Sequence, residues 1–212
     1  SGSFAAGVSS RVVLERGENG VPLIQAKTID DAYFGLGYLH CQDRYDIMEY
    51  FRAVAAGDAA GVIGKDGAVI DRLSRSMEFA GKAREMAGRI SEPYAGYLSG
   101  YVKGVNEARG RLGKKDIVKR PWTMGDVIAV LMLREWAGAF LNNKENLFLF
   151  SREETVANLR EIIPEDLIFY YSENESDCAD VVRKLKKLVK RHIGCFDRGY
   201  SFYLPAQKTK EK

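Results

Sequence analysis

Residues 127–141 (VIAVLMLREWAGAFL) are apolar on nearly every side of a helix, interrupted only by Arg134 and Glu135. A helix with one apolar stripe lies on a core, whereas one that is apolar all round needs cover on several sides. Its longest unbroken run, Val127 to Leu133, is about two turns at 3.6 residues per turn, and it is the longest in the chain. That falls far short of the roughly 20 apolar residues that span a bilayer, so no stable membrane insertion is expected. The helix is a core element, and the chain must either provide the layers around it or borrow them.

The rest of the sequence offers few such layers. Ser10 to Arg16 and Val21 to Ala26 are short β-like runs around Gly17-Glu18-Asn19-Gly20, whose residue types suit a hairpin turn. Thr28 with Asp31 three residues on has capping-box spacing and starts a long helix. Ser91-Glu92-Pro93 places a capping Ser and an early Pro before Tyr94, Tyr97, Leu98, Tyr101, Val102 and Val105, which share one helix face. Thr123 to Asp126 caps the apolar helix, and Ser151 to Glu154 caps another bounded by Pro164. Ser172 to Asp180 is acidic, and 181–191 (VVRKLKKLVKR) carries six basic residues around an apolar face, the pattern of a solvated amphipathic helix. The fold class is therefore mostly α with a short N-terminal β-hairpin, which leaves the apolar helix under-covered and points to a missing partner.

Charge and composition exclude several functions. The balance of 32 basic against 29 acidic residues gives +3 at pH 7, too weak to imply a nucleic-acid partner without a concentrated basic face. Cys41, Cys178 and Cys195 are odd in number and widely spaced, unlike a disulfide framework. Gly35-Leu36-Gly37 lacks the third glycine of a dinucleotide loop, since His40 stands there. His192 and Cys195 have local zinc spacing, but two ligands do not make a site. There is no Gly-x-Ser-x-Gly elbow.

What remains unusual is His40-Cys41-Gln42-Asp43-Arg44, opposite charges between apolar neighbours on a helix, followed by Arg52, Arg72 and Arg75. Asp43, Arg44 and Arg52 are expected to be structural, forming ion pairs that hold helices together.

These residues belong to a longer pattern. Gly20 to Ala26 (GVPLIQA) and Asp31 to Arg44 (DAYFGLGYLHCQDR) are followed by Met48, Arg52, Ala56-Gly57, Ile63-Gly64, Asp71-Arg72 and Arg75. Tyr97 to Asn106 (YLSGYVKGVN), Pro121-Trp122-Thr123 and Asp126 complete it. Over roughly residues 12–150, in order and in spacing, the chain resembles the penicillin acylase (penicillin amidase) family.

That resemblance implies an N-terminal nucleophile hydrolase with an αββα fold, made as a precursor that cuts itself into an α and a β chain. It implies that the nucleophile is the first residue of the β chain, a Ser whose own α-amino group is the base, so that this chain is an α subunit with no catalytic residue of its own. The β chain of the same precursor and a small N-acyl amide, of β-lactam or acyl-homoserine lactone type, are the implied partners. By position, Trp136, Ala139 and Phe140 are implied to line the acyl pocket, and Glu145 to bind a structural calcium ion, a hard cation suited to carboxylate oxygens. No organic cofactor is expected. A periplasmic or extracellular location is implied, although the sequence carries no signal peptide.

On this reading residues 1–9 are a tag or mature terminus, 10–195 the α-chain-like region, and 196–212 a tail or processing-site remnant. No Ser-Asn pair marks a processing site. The alternative is therefore a catalytically inactive relative acting as a scaffold; Cys195 as a substitute nucleophile has too little chain after it to build a site.

Overall fold

The computed structural model describes residues 2–4, 7–142 and 178–194. Three strands, β1 (Gly2–Phe4), β2 (Val12–Arg16) and β3 (Pro22–Gln25), form an antiparallel sheet in that order, with Ser3 opposite Val13 and Leu14 opposite Ile24. The β2–β3 hairpin turns where Gly20 N donates to Gly17 O at 2.9 Å, with Gly20 at φ +78°. Asn19 Oδ1 accepts from Val21 N, fixing the way out of the turn. β1 extends this expected hairpin; three residues are too few for a period-2 signal to show in sequence. Val12 and Leu14, alternate residues of β2, pack on Phe34 and Leu39.

Those two residues belong to α1 (Ile29–Ala56), which starts where Thr28 Oγ1 accepts from Asp31 N at 3.1 Å and kinks at Arg44 (φ −141°). Short helices α2 (Ala60–Ile63), α3 (Lys65–Ser76) and α4 (Phe79–Ala87) follow. Asp71 stitches this run together by accepting from the amides of Ala59 and Ala60.

α5 (Tyr94–Arg111) lies along α1 with backbones in direct apposition. A Cβ on Gly37 would stand 2.0 Å from Tyr101 O, and one on Gly104 would stand 2.0 Å from Phe34 O. Only glycine allows that approach. The expected Ser91 cap is not formed: Pro93 occupies the cap position with no side-chain bond, and Glu92 Oε2 instead accepts from Gly96 N at 3.1 Å. The carboxylate of Glu92 thus satisfies a first-turn amide of α5.

α6 (Met124–Asn142) opens on a reciprocal cap, in which Thr123 N and Oγ1 donate to Asp126 Oδ2 and Asp126 N donates to Thr123 Oγ1. It packs mainly on α4 and α1. α7 (Cys178–His192) lays Leu185, Leu188, Val189 and Ile193 into the same core, so the apolar face of the basic stretch is covered by α6. At its end His192 Nε2 lies 3.0 Å from Asp66 Oδ2, and Tyr50 Oη donates to His192 O at 3.1 Å. Even so, Leu131 on α6 stays 47% exposed. The expected helix at 151–164 and the tail lie outside the described residues.

Candidate functional site

The C-terminal half of α6 carries an aromatic cluster. Trp136 and Phe140, one turn apart, stack with centroids 5.0 Å apart and planes 11° from parallel, and Phe79 of α4 meets Trp136 edge-on at 6.0 Å. The three residues expected in an acyl pocket differ in access. Ala139 is exposed, Trp136 is half-buried, and Phe140 is only 7% exposed beneath α7, with Lys186 Nζ 5.7 Å from its ring. Gly138 beside them has no described atom within 4 Å of where a Cβ would be. This end of α6 therefore presents an apolar shelf of Trp136 edged by the small residues Gly138 and Ala139. Glu145 lies outside the described residues, and among the described residues no group of three or more His, Cys, Asp or Glu side chains is arranged to hold a metal.

A second constellation sits where α1, the 112–123 loop and α6 meet. Arg52, 1% exposed, donates through Nη1 to Glu49 Oε1 at 2.8 Å and through Nη2 to Pro121 O, Arg120 O and Asp126 Oδ2 at 2.8, 3.0 and 3.2 Å. Its guanidinium lies 4.9 Å from the Trp122 ring centroid, and Trp122 Nε1 donates to Glu49 Oε1 at 2.7 Å. Glu49 Oε2 takes the amides of Ile117 and Val118. Arg120 grips Asp126 with two bonds of 2.7 and 2.6 Å. Burial pushes the Asp126 carboxyl up, but the bonds from Arg120 and Thr123 and the charge of Arg52 outweigh it and hold its pKa below the ordinary carboxylate value.

Asp43 and Arg44 are elsewhere. Asp43 pairs with Arg16 of β2 at 2.6 Å on the surface, and Arg44 occupies the α1 kink. Arg52, Trp122 and Asp126 all stand out in the sequence, but nothing there links them to one another. Glu49 and Arg52 stand three residues apart on one helix face, a readable signal; the loop amides that complete the cluster come from 68 and 69 positions away and leave no local trace.

Two further polar centres brace the frame. Asp31, 2% exposed, accepts from the amides and hydroxyls of Ser9 and Ser10. Burial pushes its carboxyl up, yet these bonds and the one from Thr28 bring it well below the usual range. Asp116 is held low chiefly by Arg109, against an opposing push from burial, and also accepts from Tyr45 Oη.

Comparison with known proteins identifies the arrangement. The family model described as penicillin amidase matches residues 11–178. An acyl-homoserine lactone acylase, QuiP, of Pseudomonas syringae pv. tomato is 36% identical over 107 residues, 50% of this chain and 13% of that protein. The penicillin G acylase of Escherichia coli is 33% identical over 98 residues, 46% of this chain and 12% of that protein. The chain thus matches only about an eighth of the length of such relatives. Among solved structures, a thermostable penicillin G acylase from Alcaligenes faecalis shares the fold with a TM-score of 0.54 at 19% identity, over 92% of this chain and 97% of that one. With the match spanning β2 to the start of α7, the chain belongs to the penicillin amidase family.

Proposed function

We infer that this chain is the α subunit of a two-chain amidohydrolase that cleaves the amide of an N-acyl substrate, of β-lactam or acyl-homoserine lactone type. The reading is carried by the family match over residues 11–178, whose relatives are named for both kinds of acylase. The alignment with 97% of a penicillin G acylase chain agrees with a separate subunit of this size. The exposed Leu131 on an otherwise apolar helix supports a companion layer.

In this mechanism the terminal Ser of the β chain attacks the amide carbonyl through Oγ, its own α-amino group taking the proton. The amine leaves with a proton, and water then releases the acyl group from the serine ester. This chain contributes no bond-breaking group. The shelf of Trp136, Ala139 and Phe140 orients the acyl portion, as apolar pockets do, and Glu145, proposed from its position in the sequence alone, supplies one carboxylate to a structural calcium ion.

The test is expression of the gene with its downstream sequence, followed by mass spectrometry and assay on chromogenic phenylacetyl and longer acyl amides. A 23.7 kDa species with a larger companion and measurable hydrolysis is expected. A lone chain, or a two-chain complex inert toward every amide tried, overturns the reading.

A further inference from the structure

A cavity of about 250 Å³ opens beside the first turn of α6, away from the aromatic shelf, lined by Arg52, Arg84, Arg120, Thr123, Gly125 and Asp126 with small alanines between them. Three arginines around one small space is an unusual concentration of positive charge. Two of them are already matched: Arg52 by Glu49 and Asp126, and Arg120 by Asp126. The side chain of Arg84, exposed on α4, makes no hydrogen bond or ion pair with a described residue, and its stem lies against Gly125. Three guanidinium groups against the carboxylates of Glu49 and Asp126 leave one positive charge in excess.

A second observation concerns the floor. Arg52 is 1% exposed, and its Nε is a buried side-chain nitrogen without an acceptor. An arginine is always charged and has five donors in a fixed fork; Nε is enclosed, so what Arg52 lends the cavity is its charge and not a hydrogen bond. Thr123 and Gly125, which line the cavity, add the N-terminal end of α6, where the helix dipole favours negative charge. Asp126 does not spoil the site, because its oxygens are taken by Arg120, Arg52 and Thr123.

We propose that this cavity binds a small oxyanion of carboxylate or phosphate size, held at the mouth by Arg84 and drawn inward by the Arg52 charge and the α6 N-terminus. The volume admits such an ion with some of its water, and the planar guanidinium of Arg84 matches two of its oxygens. The same chemistry is presented by a free inorganic anion or by an acidic side chain, and the choice of anion separates them.

The experiment titrates the full chain with sodium phosphate, sodium acetate and sodium chloride at matched ionic strength, reading thermal denaturation and, for affinity, calorimetry. A saturable rise in Tm with phosphate or acetate but not chloride is expected. It should weaken at least tenfold in Arg84→Ala and persist in Lys82→Ala, a nearby exposed change on the same helix. Preference for acetate marks the site as one for a carboxylate side chain, and preference for phosphate as one for a free tetrahedral anion. An equal response to all three salts, or an Arg84→Ala variant that binds as well as the parent, overturns the proposal. Amide hydrolysis plays no part in the readout, so the result stands apart from the fate of the enzymatic reading.

Discussion

Arg52 Nη2 donates to Asp126 Oδ2 at 3.2 Å, a contact that joins residues 74 positions apart and ties the end of α1 to the cap of α6. Removing the cation leaves Glu49 and Asp126 facing each other's field in a buried space, which costs more than the pair itself contributes. Arg52→Met is therefore expected to lose about 3–5 kcal/mol in urea denaturation. Arg16→Met, which breaks the half-exposed pair with Asp43, should lose under about 1 kcal/mol. Similar losses for the two would mean that burial of the Arg52 cluster has no energetic consequence.

The α1–α5 contact makes two glycines of one helix behave oppositely. Gly104→Ala places a methyl 2.0 Å from Phe34 O, against backbone that cannot yield cheaply; a loss of about 1–3 kcal/mol or more follows. Gly110, six residues on, has nothing within 4 Å of its would-be Cβ, so Gly110→Ala should gain up to about 1 kcal/mol from helix propensity alone. Chemical denaturation of both variants reads the sign directly, and a neutral Gly104→Ala would refute the close approach.

How much of this was legible in the sequence depends on how far each contact reaches. The Thr28 and Thr123–Asp126 caps and the Gly17–Gly20 turn of the β2–β3 hairpin rest on neighbours within four residues, where spacing carries the information. Glu49 does not stand out in the sequence because three of its four partners, at 117, 118 and 122, meet it only through the tertiary fold. The Tyr97–Asn106 stretch was recognisable as a motif, yet the reason for Gly104 is a carbonyl on another helix. The expected pocket residues Trp136, Ala139 and Phe140 fall on about one turn of α6, while the core that buries Phe140 includes α7, some 45 residues later in the chain.

Acid should weaken the fold in a definite window. Asp31, Asp116 and Asp126 all have folded pKa values below their ordinary one, so near pH 3 the unfolded chain binds more protons than the folded one. Their stabilisation is present in full above the unfolded value of about 3.9 and is lost as pH falls through the lower folded values. The urea midpoint should hold steady from about pH 7 to 5 and drop below about pH 4. Asp31→Asn should flatten that drop; an unchanged slope would count against its low folded pKa.

Cys41 is fully buried, and burial pushes its thiol up to about 11, with nearby Lys114 and Arg109 opposing. Since the thiolate is the reactive form, a chain carrying Cys178→Ser and Cys195→Ser should resist Ellman's reagent at neutral pH and react fully on adding denaturant. Rapid labelling of the native variant would show that the α1–α5 seam opens readily.

The aromatic shelf separates packing from recognition. Phe140, 7% exposed, shares one buried core with Leu185, Leu188 and Val189 of α7, so Phe140→Ala should cost about 3–5 kcal/mol whatever the substrate. Ala139 is exposed beside it, and Ala139→Leu should leave stability within about 0.5 kcal/mol. If the shelf receives the acyl group, that same change in the two-chain enzyme raises KM for long acyl amides more than for short ones, because the added branch occupies the space a long chain needs. Because kcat for the shortest amide should be unaffected, the length dependence of KM distinguishes a filled pocket from general damage. An Ala139→Leu enzyme whose KM values all match the parent would place the acyl chain somewhere other than this turn of α6.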